Sequence, residues 1–373
     1  FSIKDSTATD NYVLTVDANG DAGWEAAGGT STGETYVKLF NSGSASNTGC
    51  TTAAGYLAGQ ALASGESENT FFGCEVGKSV TTGSDNTLFG AKTGENLTTG
   101  GNNIGIGKDA LKAATTADYN LVMGSHAGQA ITTGARNTAI GYAALDAVTT
   151  ATDNVAIGYA ACTANTSGEK NVAIGNYALD ANTSGIENVA IGHYALTTGT
   201  GVSRSVAVGG YAANSVTGNY NVAIGWDAMY SASSINHSVA IGYYALGAAS
   251  GDYNVAIGNY ALTANTSATS NVAVGYHSLK TNTTGTRNVA VGTYTLQALT
   301  SGSDNTAIGE QAGYATTTGA ENTFVGIYAG LDNTTGDNNT SLGKDALKDN
   351  TTADSNTAIG HNALEANTTG SIN

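Results

Sequence analysis

Side chains with chemistry to offer are sparse in this chain, and their spacing limits what they can do. Five histidines, His126, His193, His237, His277 and His361, lie so far apart that no two fall on adjacent turns of the repeat described below, so no metal site or catalytic base is expected. Gly105-Ile106-Gly107-Lys108 mimics a phosphate loop, but Asp109 follows where Ser or Thr is needed. Asp153, Glu187 and Asp304 are carboxylates suited to glycosidase work only if a cleft held two of them at a fixed separation. Cys50, Cys74 and Cys162 form neither an even framework nor a CxxC pair, so neither a disulfide scaffold nor a zinc site is indicated, and Cys162 stands where most repeats have Leu, as a packed thiol. The expectation is a chain that is no enzyme and carries no cofactor or metal.

Two recurrent sets remain. Tyr142, Tyr159, Tyr177, Tyr194, Tyr211, Tyr243, Tyr244, Tyr260, Tyr276, Tyr294 and Tyr328 recur at two neighbouring repeat positions, as a stripe able to stack on sugars or touch a neighbouring protomer, or as corner side chains lying over their own coil. Asn165, Asn182, Asn265, Asn282, Asn333, Asn350 and Asn367 sit in Asn-x-Ser/Thr sequons. Their recurrence at one position favours a turn role over glycan attachment.

Proline is absent, there are 51 glycines, and charged residues make up 11%. Disorder would bring more charge and fewer β-branched residues, whereas Val and Ile return here on schedule. A net charge of −16 opposes nucleic-acid binding, and no run of 18 apolar residues could insert into a membrane. Because the sequence opens on Phe1, the true N-terminus is expected to be processed or to lie elsewhere.

Residues 1–50 form an N-terminal β-hairpin and connector region, an attachment or cap. Asn11 to Val16 and Ala22 to Ala26 read as paired strands anchored by Trp24, and Asp17-Ala18-Asn19-Gly20-Asp21 reads as a plain turn without calcium-loop spacing. Gly28 to Gly33 is a flexible joint before a short strand at Tyr36 to Phe40.

Residues 51–373 are a repeat array of nineteen units. Sixteen have 17 residues, the first has 18, and those starting at Ser205 and Ser238 have 16, while Asn373 opens a further unit. In Asn171-Val172-Ala173-Ile174-Gly175, Asn is position 1, the next three residues a strand, and the invariant Gly at position 5 a sharp corner. Leu179 at position 9 and the turn Asn182-Thr183-Ser184-Gly185 complete the coil. The expected fold is all-β, a β-solenoid of coils of 16–18 residues, about 90 Å long at about 4.8 Å per coil. Val172 and Ile174 are expected to share the core face, with Ala173 on the other. Asn at position 1 either forms an axial amide ladder or caps its own turn.

Units such as Asn-Thr-Ala-Ile-Gly-His-Asn-Ala-Leu-Glu-Ala-Asn-Thr-Thr-Gly, from Asn356 to Gly370, and the opening Tyr12 to Trp24, resemble phage tail-fibre and related surface proteins that often end in an intramolecular chaperone of the endosialidase type. More distantly, the Ser205 and Ser238 units look like the coils of trimeric autotransporter adhesin heads, left-handed β-rolls in homotrimers. The resemblance implies an extracellular, virion or cell-surface fibre, shaft or receptor-binding, that self-associates as a homotrimer. The chaperone that commonly follows such an array is not in the sequence, and an uncapped coil end is itself an argument for assembly. The rivals are a subunit polymerising head to tail into a filament and a glycan-binding solenoid; ice binding fits less well, because the Thr pairs lie in turns.

Overall fold

The computed structural model describes residues 12–16, 22–26, 37–40, 51–62 and 68–372. Strands β1 (Tyr12–Val16) and β2 (Ala22–Ala26) pair antiparallel, with Leu14 opposite Trp24, as the alternating sequence predicts. The Asp17–Asp21 turn, the Gly28–Gly33 joint, the Trp24 side chain and Cys50 lie outside the described residues. Strand β3 (Val37–Phe40) pairs antiparallel with β4 (Thr51–Ala54) and covers that end of the array.

From β4 the chain is a β-solenoid. Nineteen parallel strands stack in register, from β4 through β5 (Thr70–Phe72) to β22 (Thr357–Ile359), and no described residue is helical. Val172 lies against Val189, Ala173 against Ala190 and Ile174 against Ile191. No contacts join β3 to β22, so the stack is an open column. The coil-to-coil ladder continues beyond the strands. Leu179 N–H donates to Ala195 O at 2.9 Å and Thr183 N–H to Thr200 O at 2.8 Å, so the backbone is paired along the axis around much of the coil.

The strand faces are the reverse of the sequence expectation. Ala173, Ala190 and Ala207, all at position 3, are fully buried, while Val172 and Ile174 are half-buried on the outside and Ile191 is 37% exposed. The reason is the width of the coil. Within 17 residues the interior holds positions 1, 3, 8, 9, 12 and 15, and Leu179 already occupies the middle opposite Ala173. Coils whose position 9 is Gly bear this out. In four of them position 3 enlarges, to Phe71 beside Gly77, Leu88 beside Gly94, Val122 beside Gly128 and Phe324 beside Gly330, while the coils of Gly59 and Gly313 keep Ala53 and Ala307 and lend their space to Phe71 and Phe324 of the following coil. A Cβ on Gly77 would stand 2.8 Å from the Phe71 ring, and one on Gly330 2.6 Å from that of Phe324. Space left by glycine is refilled from the same or a neighbouring coil, as close-packed interiors require.

The backbone imposes its own rules. Gly175 has φ +132°, and a Cβ there would lie 2.5 Å from the carbonyl oxygen of Gly192, so position 5 needs glycine for both conformation and space. Positions 7, 9 and 17 are left-handed: Tyr177 has φ +58°, Leu179 +54° and Glu187 +59°. Among the described non-glycine residues with positive φ, the one β-branched residue is Ile372, which matches the steric cost of branching in that region.

Asn at position 1 performs both roles that the sequence left open. The Asn171 Oδ1 accepts from the Asn188 N–H at 3.1 Å and from the Asn188 Nδ2 at 3.0 Å, an axial ladder. Its own Nδ2 donates to Gly185 O at 2.9 Å and closes the coil. At Ser205 and Ser238 the hydroxyl oxygen takes over the axial acceptor role, towards Asn221 N–H at 3.1 Å and Asn254 N–H at 3.2 Å. Both serines head 16-residue coils, which drop one residue from the turn before Gly218 and Gly251.

Candidate functional site

The tyrosines gather on one edge of the column, just past the glycine corner. Tyr142, Tyr159, Tyr243 and Tyr276, at position 6, are exposed; Tyr177, Tyr194, Tyr211, Tyr244, Tyr260, Tyr294 and Tyr328, at position 7, are half-buried. Tyr177 and Tyr194 stack at 4.9 Å and 8°, Tyr194 and Tyr211 at 5.5 Å and 12°, and Tyr142 and Tyr159 at 5.3 Å and 12°. Rings stacked in this way cover one another's faces, and a sugar needs an open face. Further along, Tyr243 meets Tyr260 and Tyr276 meets Tyr294 edge to face, at 83° and 81°. Tyr244 tilts against Tyr243 and Tyr260 at 43°, and Tyr328, between Gln311 and Asp345 at the same position of the flanking coils, joins none of these ring contacts.

Most of the histidines belong to these aromatic columns. His126 stands edge-on to Tyr142 with its Nδ1 2.7 Å from Gln129 Oε1, His193 packs against Tyr194 and Tyr211, and His277 lies between Tyr260 and Tyr294. Burial lowers the His277 pKa, and the nearby Lys280 adds to that. Among the described residues no group of three or more His, Cys, Asp or Glu side chains could hold a metal ion. Gly107 of the phosphate-loop mimic is a position-5 corner like the others, with φ +134°.

The three singled-out carboxylates are ion-paired along the edge where each coil ends: Asp153 with Arg136 at 2.7 Å, Glu187 with Arg204 at 2.9 Å and Asp304 with Arg287 at 2.6 Å. Hydrogen bonding to Arg136 pulls the Asp153 carboxyl down to about 2, and Arg287 lowers that of Asp304. These exposed pairs, each reaching one coil along the axis, decorate the edge rather than hold the fold. Cys162 is fully buried and its thiol is pushed up to about 12 by burial, so it packs and does not react. The sequon asparagines Asn165, Asn182, Asn265, Asn282, Asn333 and Asn350 are fully buried, and Gly185 N–H donates to Asn182 Oδ1 at 2.8 Å. In the folded chain those six cannot accept a glycan.

Two features were missed in the sequence. At the ends of coils, Tyr220, His237 and Tyr253 form a stack at 4.8 Å and 5.3 Å, and the Arg204 Nη1 donates to the Tyr220 hydroxyl at 2.7 Å. Tyr220 and Tyr253 end 16-residue coils and His237 a 17-residue one, so a strict count of seventeen does not line the three up. The larger feature is the outer strand face. Val, Thr, Ile or Leu at position 2 and, after Ala54 in the first coil, Ile, Val, Leu, Met or Phe at position 4 form two half-exposed ranks, with Phe72 41%, Ile308 42% and Leu342 48% exposed. Phe72 and Phe89 stack at 5.1 Å within it. A patch about 90 Å long and about 10 Å wide, on the order of 900 Å², exceeds what isolated soluble proteins usually leave bare.

No family model, curated protein or solved structure matches the chain.

Proposed function

We propose that this chain is a non-enzymatic structural and adhesive fibre of the extracellular, virion or cell-surface kind, whose copies associate side by side through the Val/Ile face. One observation carries the reading: the outer side of the sheet bears a large apolar residue at position 4 of every coil from Phe72 to Ile359, with an unbroken Val rank beside it from Val155 to Val289 and mostly Thr in that rank towards both ends. Each copy would contribute on the order of 900 Å², about the 800 Å² per partner of a stable complex. The borders suit an interface, with tyrosines along one edge and ion pairs along the other. A homotrimer, which the likeness to tail fibres and adhesin heads implies, turns three such faces towards a common axis.

Sedimentation equilibrium tests this. Wild-type protein is expected to sediment as a trimer, and Ile174→Lys combined with Ile191→Lys to weaken association at least about 1000-fold, since an unpaired buried charge costs several kcal/mol. These side chains point outward, so each coil should keep its circular dichroism spectrum. A monomeric wild type, or a trimer indifferent to both lysines, contradicts lateral association. Species that lengthen steadily with concentration would instead favour a head-to-tail filament.

A further inference from the structure

A shallow groove of about 520 Å³ runs along coils three to six, away from the Val/Ile face. Its floor is Ala113, Ala130 and Ala147, all at position 11 of successive coils. Its polar groups are Asn96 at one end and Lys112, Gln129 and Asp146 along one wall, about 4.8 Å apart for each coil. The wall is oriented in advance. Lys112 Nζ is held 3.0 Å from Asp109 Oδ1, and Gln129 Oε1 lies 2.7 Å from His126 Nδ1, which leaves the Gln129 amide nitrogen to donate into the groove.

The floor decides the ligand class. Ala113 N–H donates to Gln129 O at 2.9 Å, Ala130 N–H to Asp146 O at 3.1 Å and Ala147 N–H to Thr163 O at 3.1 Å. With these backbone donors and acceptors engaged, a peptide cannot add as a strand. The net charge of −16 repels nucleic acid. What fits is a ligand with a flat apolar face for the alanine methyls and an edge of hydroxyls for alternating amine, amide and carboxylate groups. We propose that this groove binds a linear, ribbon-like polysaccharide lying along the fibre axis, its ring faces on the alanine floor and its hydroxyl edge against Lys112, Gln129 and Asp146. This names the ligand class of the adhesive fibre and rests on that reading. It moves sugar recognition away from the stacked tyrosines.

Titration calorimetry with cellohexaose and chitohexaose as flat probes, and maltohexaose as a coiled control, tests the assignment on the full chain. At least one flat probe is expected to bind more tightly than maltohexaose. Gln129→Ala and Asp146→Ala should each weaken it about tenfold, and Ala130→Leu, which fills the floor, should do the same. Ser267→Ala, in a distant turn, should leave affinity unchanged. No binding of either flat probe, unchanged affinity in the groove variants of normal circular dichroism, or loss on Tyr142→Ala alone would overturn the proposal. Sedimentation of the same samples separates the two readings. Assembly without sugar binding sinks the groove alone, and sugar binding by a monomer sinks lateral association alone.

Discussion

Gly175→Ala is expected to destabilise the array by roughly 3–5 kcal/mol, a large effect for one methyl group. Two costs combine. At φ +132° an alanine is forced into a region that L-residues avoid, and its Cβ would meet the Gly192 carbonyl oxygen at 2.5 Å. The oxygen cannot retreat easily, because the same approach recurs in the next coil, where a Cβ on Gly192 would lie 2.4 Å from Gly209 O. Relief would have to pass from coil to coil through a stack whose units touch only their neighbours. Guanidinium unfolding followed by circular dichroism checks this, and a loss under about 1 kcal/mol would mean that the corner relaxes locally.

Asn171→Leu is expected to cost about as much, by a different route. The Leu side chain keeps the volume but strands the buried Asn188 N–H and leaves the Gly185 carbonyl with only the long contact from Asn182 Nδ2 at 3.5 Å, at roughly 1–3 kcal/mol each. Asn171→Ser should recover about half of that loss. Its hydroxyl can accept from the next coil as Ser205 does, yet it is too short to reach the carbonyl fourteen residues on. That shortfall fits the chain's own usage, since Ser heads only the 16-residue coils, where the turn holding that carbonyl is a residue shorter. Equal stability of the Ser and Leu variants in the same unfolding assay would show that the axial bond contributes nothing.

How much of this was legible depends on what kind of signal each residue carries. The period of the repeat, the glycine corner at Gly175 and the parallel in-register stacking follow from spacing alone, because only a returning coil explains them. The facing of the strand does not. A Val-Ala-Ile triplet alternates equally well either way round, and hydrophobicity alone places Val172 and Ile174 inside. What decides is the cross-section of a 17-residue coil, a tertiary quantity. Its trace in the sequence was the exchange of Phe71, Leu88 and Phe324 for glycine at position 9, which has meaning only once position 3 is known to point inward.

The candidate surfaces divide in the same way. The tyrosine stripe was visible because Tyr recurs at fixed positions, but its ring stacking, which closes several faces to a sugar, is geometry no pattern reports. The Tyr220-His237-Tyr253 column escaped because two of its members end the short coils and slip out of a strict count of seventeen. The alanine-floored groove escaped because Ala113, Ala130 and Ala147 look like filler until the wall beside them is seen.

The coil as the unit of structure is tested most directly by the thermal unfolding of two deletions compared side by side. Removal of Asn171 to Glu187, one whole coil, is expected to leave a cooperative transition close to that of the full chain and a rod shorter by about 4.8 Å. Removal of only Asn171 to Ala178 should misalign the Asn ladder, the glycine corner and the position-3 alanines together, and abolish the central transition. Equal tolerance of the two deletions would contradict the solenoid account.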